Sequence, residues 1–223
     1  MVALRYSKTF TWFLAAGILE STWVVMRAPP PWLDSLFLFV FCVLATDLIS
    51  GLLHIVLDNP RSLDIALIRV LAAGFQAHHE DPSGIYQMPL YKHLYVMHMP
   101  LTIVFFIILP FHDARMHLTF LSMVFALHLM QMAHLWAHLP SEKLPALVRR
   151  LQRAGILVRG TQHRIHHAPP FDKNFCIMTG ICNRPLNAAV SRFGATTHWW
   201  MPVFLVAAMS PFALAWLLTS LRG

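Results

Sequence analysis

Five long apolar stretches restrict the fold of this chain more than any other feature of its sequence. Each approaches the roughly 20 residues that a helix needs to cross the hydrocarbon core of a bilayer. Charged residues make up only 12% of the chain, about half the share usual in soluble domains. We therefore predict an all-α fold, a polytopic membrane helical bundle with about four to five transmembrane helices. The predicted spans cover about residues 10–26, 32–57, 90–111, 116–139 and 199–218.

The first apolar stretch follows a basic start and therefore resembles a signal peptide. It contains the acidic Glu20, and no convincing small-x-small cleavage site is visible, so we expect a helix that stays in the membrane. No internal repeat or low-complexity linker divides the 223 residues. We predict a single membrane domain over residues 1–223.

The distribution of basic residues predicts how the chain is oriented. With a cytoplasmic N-terminus, five crossings place only Arg27, Arg115 and Arg222 outside, and the other fourteen Lys and Arg residues inside. This asymmetry follows the positive-inside rule. The net charge of +7 then reflects topology and contact with anionic lipid headgroups, and we expect no nucleic-acid partner. We predict a multi-pass protein of a bacterial inner membrane, with an amphipathic interfacial helix within residues 144–160.

Histidine is the second unusual feature, because its 14 residues outnumber the 10 acidic residues of the chain. His54 and Asp58 have i,i+4 spacing, which places two side chains on one face of a helix. The segments HLWAH (134–138) and HRIHH (163–167) repeat this spacing. In the predicted topology all of these residues, together with the adjacent pair HH (78–79), lie at or near the cytoplasmic face. Their common location indicates a single site.

These residue types predict a metal centre. The candidate ligands are His54, Asp58, His78, His79, His134, His138, His163, His166 and His167. Imidazoles with a carboxylate and no thiolate suit iron, zinc, copper or nickel. Eight histidines exceed what one tetrahedral zinc site can use, whereas two metals with about four or five ligands each would use them well. The adjacent His78 and His79 can both be ligands only at a helix end; otherwise one of them supports a ligand.

The remaining histidines and the cysteines are expected to have structural roles. A histidine inside a membrane helix commonly forms a hydrogen bond that supports helix packing. The three cysteines lack CxxC spacing, which indicates neither a disulfide framework nor a thiolate zinc site. The histidines in this structural class are His93, His98, His112, His117, His128 and His198.

The histidine-bearing segments resemble a known protein family. They are DLISGLLHIVLD (47–58), FQAHHEDP (75–82), HLWAH (134–138) and HRIHHAPPFDKNFCIMTGICNRPLN (163–187). In order and with similar gaps, they are similar to the motifs of the Kua-type lipid desaturases, and the motif-bearing core covers about residues 45–190. The resemblance implies a membrane-bound, iron-dependent oxidoreductase whose metal ligands are the nine candidates above. It also implies that Asp58 takes part in catalysis, by balancing charge or by orienting a histidine.

The resemblance further implies cofactors, partners and a reaction. The expected cofactors are two iron ions and O2, which together can oxidise an unactivated lipid chain. No nucleotide-binding or iron–sulfur motif is visible, so a separate cytochrome b5- or ferredoxin-type protein is expected to supply the electrons. HHEDPS (78–83) is closer to the ether-lipid branch of the family than to its plastid acyl-lipid branch. We therefore predict a 1-O-alkyl (plasmanyl) phospholipid of the membrane as substrate, converted to the vinyl ether of a plasmalogen.

Some features leave other functions open. Ile55, Gln162 and Phe171 stand where animal members of the family have Trp, His and His, so the substrate could differ. An acyl-lipid desaturase or a hydroxylase would use the same iron chemistry. A metal transporter or sensor would place ionisable ligands along a path through the bilayer, and a zinc hydrolase would be expected to contain HExxH. The oligomeric state stays open.

Overall fold

The computed structural model describes residues 8–195 and 197–221, and every regular element in this part of the chain is helical. This confirms the predicted all-α class. The helices are α1 (Lys8–Arg27), α2 (Trp32–Leu57), α3 (Arg69–Glu80), α4 (Gly84–Gln87), α5 (Leu90–Tyr95), α6 (His98–Ile108), α7 (Ala114–His138), α8 (Ala146–Arg153), α9 (Gly160–His166), α10 (Asn183–Phe193) and α11 (Thr197–Ser220). Short 3₁₀ turns cover Pro60–Asp64, Leu109–Phe111 and Ser141–Lys143.

Five helical stretches are long and apolar enough to cross a membrane, as predicted. They are Lys8–Arg27, Trp32–Leu57, Leu90–Phe111, Ala114–His138 and His198–Ser220. The first, fourth and fifth differ from the predicted spans by one or two residues at each end. Five of these six ends extend beyond the predicted apolar run, and the fourth span ends one residue earlier than predicted. The protein is a multi-pass membrane protein. Arg5 and Arg222, which enter the predicted charge asymmetry, lie outside the described residues.

The chain forms two compact units. The first, which we call the site unit, consists of Asp47–Pro89 and Leu129–Val206. The second, the helical unit, consists of the described residues of Leu4–Thr46, Leu90–His128 and Ala207–Gly223. Three long helices, α2, α7 and α11, contribute residues to both units. A single domain over the whole chain stays a prediction.

Several buried polar side chains of the helical unit pair with one another, as burial away from water favours. Helix α1 packs against α6, and a Cβ atom added at Gly17 would stand 2.8 Å from the ring of Phe105. Glycine therefore lets the two helices approach. The Asp34 carboxylate at the start of α2 pairs with the Arg115 guanidinium at the start of α7, with an N–O distance of 3.0 Å.

The site unit contains the basic amphipathic segment. Within residues 144–159, Ala146–Arg153 forms a helix, and its apolar residue Val148 is buried together with Leu144 and Leu157. Leu147 and Ile156 of the same segment are 66% and 56% exposed, so only part of its apolar pattern serves packing inside the unit. Arg150 and Arg153 remain exposed, and the interfacial position of this helix stays a prediction.

Replacing Asp34 by alanine should destabilise the protein, because the Arg115 guanidinium loses its carboxylate. Removing one partner of a buried ion pair costs about 3–5 kcal/mol, and we expect the lower end because the Arg115 side chain is 16% exposed. Thermal unfolding of the purified protein in detergent measures the effect. The double replacement Asp34→Leu with Arg115→Met should recover most of the loss, and an equally unstable double variant would contradict this role of the pair.

Candidate metal centre

Two buried imidazoles present their unprotonated nitrogens to the same region. The Nδ1 atom of His54 lies 2.8 Å from the carbonyl oxygen of Ser50, and that of His166 lies 3.1 Å from the carbonyl oxygen of Lys173. A carbonyl oxygen only accepts hydrogen bonds, so each Nδ1 carries a proton, and in the neutral ring Nε2 then carries the lone pair. Both Nε2 atoms are buried and without a hydrogen-bond partner. Metal-binding histidines are commonly held in this way.

The Asp58 carboxylate completes a first set of ligands. Ligand atoms of His54, Asp58 and His166 all lie within 4.8 Å of one another; we call this set the carboxylate group. Asp58 Oδ2 is 3.2 Å from His166 Nε2, yet the contact lacks hydrogen-bond geometry, and both carboxylate oxygens are unpartnered. The Nδ1–H of His166 is directed at Lys173, so Nε2 is the ring nitrogen that faces the carboxylate. A cation between the three side chains would be attracted by the carboxylate and would bind both Nε2 atoms.

The Asp58 carboxyl is ionised, as a metal ligand must be. Burial by itself raises its pKa, but the neighbouring imidazoles of His166 and His79 outweigh burial and hold the pKa of Asp58 well below its usual range. An ionised carboxylate with two neutral imidazoles is the donor set typical of non-haem iron oxygenases. The carboxylate group therefore fits a divalent transition metal.

Five more imidazoles form a second set. Ligand atoms of His78, His134, His138, His163 and His167 lie within 4.8 Å of one another; we call this set the five-histidine group. The Nε2 atom of His138 stands 3.0 Å from that of His78, 3.1 Å from that of His134 and 2.8 Å from that of His163. One imidazole nitrogen carries either one proton or one lone pair, so it cannot make three such hydrogen bonds.

The spacing of these nitrogens fits ligands around a metal ion. A metal–imidazole bond is about 2.1 Å long, so nitrogens bound at right angles to one another lie about 3 Å apart. The spacings of 2.8–3.1 Å in the five-histidine group agree with this value. The nitrogens must also be uncharged to bind. Burial, with the neighbouring His138, lowers the pKa of His78 to about 3, and burial, with His78, lowers the pKa of His167 to about 2.

A glycine allows the two histidine-bearing helices to meet. A Cβ atom added at Gly160, the first residue of α9, would stand 2.8 Å from the carbonyl oxygen of Ala137 in α7. This close approach of α9 to the end of α7 brings His163 next to His138. Helix α9 then divides its ligands, because His163 and His167 belong to the five-histidine group and His166 belongs to the carboxylate group.

His79 is the one candidate ligand that lies in neither group. Its Nε2 atom is 3.2 Å from Asp58 Oδ1, and its ring stacks on His167 at 4.5 Å between centroids. This position agrees with the predicted alternative in which one of the two adjacent histidines supports a ligand. Phe171, a departure from the animal pattern, contacts the His79 ring edge-on at 4.8 Å.

The histidines predicted to be structural lie outside both groups within the described residues. His98 Nδ1 is 3.0 Å from Thr11 Oγ1, and His117 Nδ1 is 2.9 Å from Ser21 Oγ. Both pairs lie in the helical unit. These hydrogen bonds are of the kind expected for helix packing in a membrane.

Sequence reasoning missed Asp47. In the sequence this carboxylate is the first residue of the segment DLISGLLHIVLD (47–58), and no role is predicted for it. In the structure it is fully buried and bound to the backbone of residues 179–182. One signal could have identified it: Asp47, Ser50, His54 and Asp58 follow one another at intervals of three and four residues, which defines one face of a helix.

Comparison with known proteins relates these residues to a family. A family profile described as a lipid desaturase domain matches residues 43–196, and this range includes every candidate ligand. The resemblance predicted from the motifs is thereby confirmed at the family level. No solved structure matches the chain significantly.

Individual relatives carry two kinds of name. Fatty acid desaturase 4, chloroplastic, of Arabidopsis thaliana is 33% identical over 145 residues, which are 63% of this chain and 44% of the relative. Fatty acid desaturase 4-like 2, chloroplastic, of the same plant is 35% identical over 162 residues, or 70% and 56%. Plasmanylethanolamine desaturase of Myxococcus xanthus is 31% identical over 150 residues, or 64% and 52%. The chain spans about half the length of the curated relatives it matches.

Replacing Gly160 by alanine should weaken metal binding, because the new methyl group would collide with the Ala137 carbonyl and push α9 away from α7. Changing residues that support metal ligands typically costs about 10–100-fold in metal affinity, and we expect a loss in this range. The measurement is metal bound per chain after equilibration with limiting Fe(II). Gly74→Ala in α3 is the matched control, because nothing lies within 4 Å of its added Cβ. Equal metal binding by both variants would refute the role of Gly160.

Proposed function

The chain belongs to the lipid desaturase domain family, and from this premise we propose that it is an O2-dependent membrane desaturase that holds two iron ions. The observation that carries the proposal is the pair of ligand groups that both include residues of α9. One supplies five imidazoles, and the other supplies two imidazoles with a carboxylate. The second donor set favours iron, since it is typical of non-haem iron enzymes that use O2. His54, Asp58 and His166 would hold one ion, and the five-histidine group would hold the other.

The reaction balances with an external source of electrons. A lipid chain loses one hydrogen from each of two adjacent carbons, a double bond forms, and O2 with two further electrons and two protons becomes two molecules of water. Iron supplies the activation of O2, which no amino-acid side chain can provide. The chain itself binds and orients the ions and excludes bulk water, since His54, His163 and His166 are almost fully buried. We propose a cytochrome b5- or ferredoxin-type protein as the electron donor.

The proposed substrate is a 1-O-alkyl phospholipid, with the hydrogens taken from C1 and C2 of the sn-1 alkyl chain. Two observations support it: the HHEDPS segment (78–83) and the bacterial relative named plasmanylethanolamine desaturase. The product would be the vinyl ether of a plasmalogen.

An acyl-lipid desaturase is the second candidate. The plant relatives named fatty acid desaturase, at 33% and 35% identity, favour it. A hydroxylase would use the same ligand groups and differ only in its product. A metal transporter is less well supported, since its ligands would be distributed along a path through the bilayer, whereas both ligand groups lie within the site unit.

The substrate proposal is tested by mass spectrometry of lipids from cells that express the chain and receive a 1-O-alkyl lipid precursor. We expect an ether lipid that is lighter by two hydrogens and that releases a fatty aldehyde in acid. His166→Ala should abolish this product without preventing membrane insertion, because it removes a ligand of the carboxylate group. His198→Ala is the control, since this exposed histidine lies outside both groups.

Each other outcome has a distinct meaning. Loss of two hydrogens from an acyl chain, with ether lipids unchanged, would replace the ether-lipid substrate by the second candidate. A product heavier by one oxygen would identify a hydroxylase. Desaturation that persists in His166→Ala would refute the assignment of the site.

We propose a location in a bacterial inner membrane, with the ligand groups on the cytoplasmic side. Two exposed positions test this orientation: Ala28, between the first two spans, and Glu142, after the fourth. In intact spheroplasts, a membrane-impermeant maleimide should label Ala28→Cys. It should label Glu142→Cys only after the membrane is permeabilised. The reverse pattern would contradict the proposed orientation.

A further inference from the structure

A buried carboxylate of α2 holds a loop of the site unit that lies 132 to 135 residues later in the chain. Asp47 is 0% exposed. Its Oδ1 atom accepts hydrogen bonds from the backbone N–H groups of Thr179 at 2.7 Å and Gly180 at 3.0 Å, and its Oδ2 atom accepts one from Cys182 at 3.1 Å. A buried charge is costly unless several hydrogen bonds compensate it. These three N–H groups, just before α10, provide that compensation.

The loop held by Asp47 is anchored along its length. We call residues 173–182 the anchored loop. Its Ile177 N–H donates to Ser50 Oγ at 3.2 Å, and its Asn174 N–H donates to the Asn187 side chain at 2.9 Å. These bonds fix the loop between α2 and α10. The backbone of the anchored loop between these hydrogen bonds is therefore restricted.

The other end of the anchored loop orients a candidate ligand. The Lys173 carbonyl oxygen accepts the Nδ1–H of His166 at 3.1 Å, which leaves the Nε2 lone pair of that ring for a metal. Asp47 thus lies at one end of the loop and His166 contacts the other. Displacement of the loop would break the hydrogen bond from His166 Nδ1–H to Lys173 and allow the ring to turn away from Asp58.

The same face of α2 orients the second imidazole of the carboxylate group. The Ser50 carbonyl accepts the Nδ1–H of His54 at 2.8 Å, and the Ser50 hydroxyl donates to the Asp47 carbonyl at 2.7 Å. By contrast, the Nδ1 atoms of His163 and His167 are buried without a hydrogen-bond partner. Two rings of the five-histidine group are therefore not oriented by the anchored loop.

From this difference we infer that Asp47 is a positioning residue for one of the two ligand groups. It holds the anchored loop so that Lys173 orients His166, and it thereby sets metal binding at the carboxylate group without setting it at the five-histidine group. The inference rests on the proposed function, because it requires that the chain binds two ions. Asp47 would contact neither ion, yet its replacement would weaken the binding of only one of them.

The test compares the intact chain with Asp47→Asn, both purified in detergent and titrated with Fe(II) under anaerobic conditions. The asparagine replaces Oδ2 by an NH2 group, which cannot accept from the Cys182 N–H. We expect affinity at the carboxylate group to fall about 10–100-fold, so that the variant retains about one ion per chain under conditions that load two ions in the unchanged protein. Mössbauer spectra should lose one iron environment and keep the other. Hydrogen exchange in the peptide covering residues 176–183 should become faster.

Two further variants keep the test decisive. Asp34→Asn removes a buried carboxylate from the same helix, so it should lower thermal stability but leave two ions bound. Ser50→Ala removes the hydroxyl that accepts from Ile177 and keeps the carbonyl that holds His54. It should shift metal binding in the same direction as Asp47→Asn, by a smaller factor, even if the Asp47 variant does not fold.

The possible results separate the inference from the function on which it rests. If Asp47→Asn exchanges faster in the loop yet binds two ions with unchanged affinity, the loop does not position His166 and the inference is wrong. Equal weakening at both ligand groups would show a general structural role and would also overturn it. If the unchanged protein binds fewer than two ions, the proposed function fails first and the inference falls with it.

Discussion

Imidazole lone pairs that face one another at about 3 Å repel, and the site unit brings five imidazoles into contact in this way. The pKa values of His78 and His167 are strongly lowered, so protons do not relieve the repulsion. A cation does. The site unit holds neutral imidazoles so close together that their arrangement becomes favourable only when a metal ion binds between them. Gly160 allows α7 and α9 to approach each other. The carbonyl groups of Ser50 and Lys173 determine which ring nitrogen of His54 and of His166 faces the ligand groups.

The membrane increases the dependence of the site unit on a bound cation. Where water is excluded, each buried polar atom needs a partner within the protein. In the helical unit those partners are other side chains, as in the pairs Thr11 with His98 and Asp34 with Arg115. In the site unit several polar atoms lack such partners, and these atoms belong mainly to candidate ligands. Buried polar atoms without a partner also occur in the helical unit, at His117 Nε2 and Thr119 Oγ1, but within the described residues most of them lie in the site unit.

Much of this structure could be predicted from the sequence, because helical spacing and hydropathy are local. The spans followed from apolar length, and the pairing of His54 with Asp58 followed from i,i+4 spacing. The division of HRIHH between two ligand groups could not be predicted, since it depends on how closely α9 approaches α7. The role of Asp47 was missed for a related reason. Its partners lie 132 to 135 residues later in the chain, and no local pattern connects them.

Helix α9 is only seven residues long, yet it has two very different sides. His163 and His166 are almost fully buried, whereas Arg164 and Ile165, which lie between them in the sequence, are exposed. A single layer of backbone therefore separates both ligand groups from the surroundings. Electron tunnelling falls off steeply with distance, so a reduced carrier that touched this exposed side would be within one helix thickness of either ion. The helix that shields the ligand groups from water would then also be a route by which electrons reach bound metals.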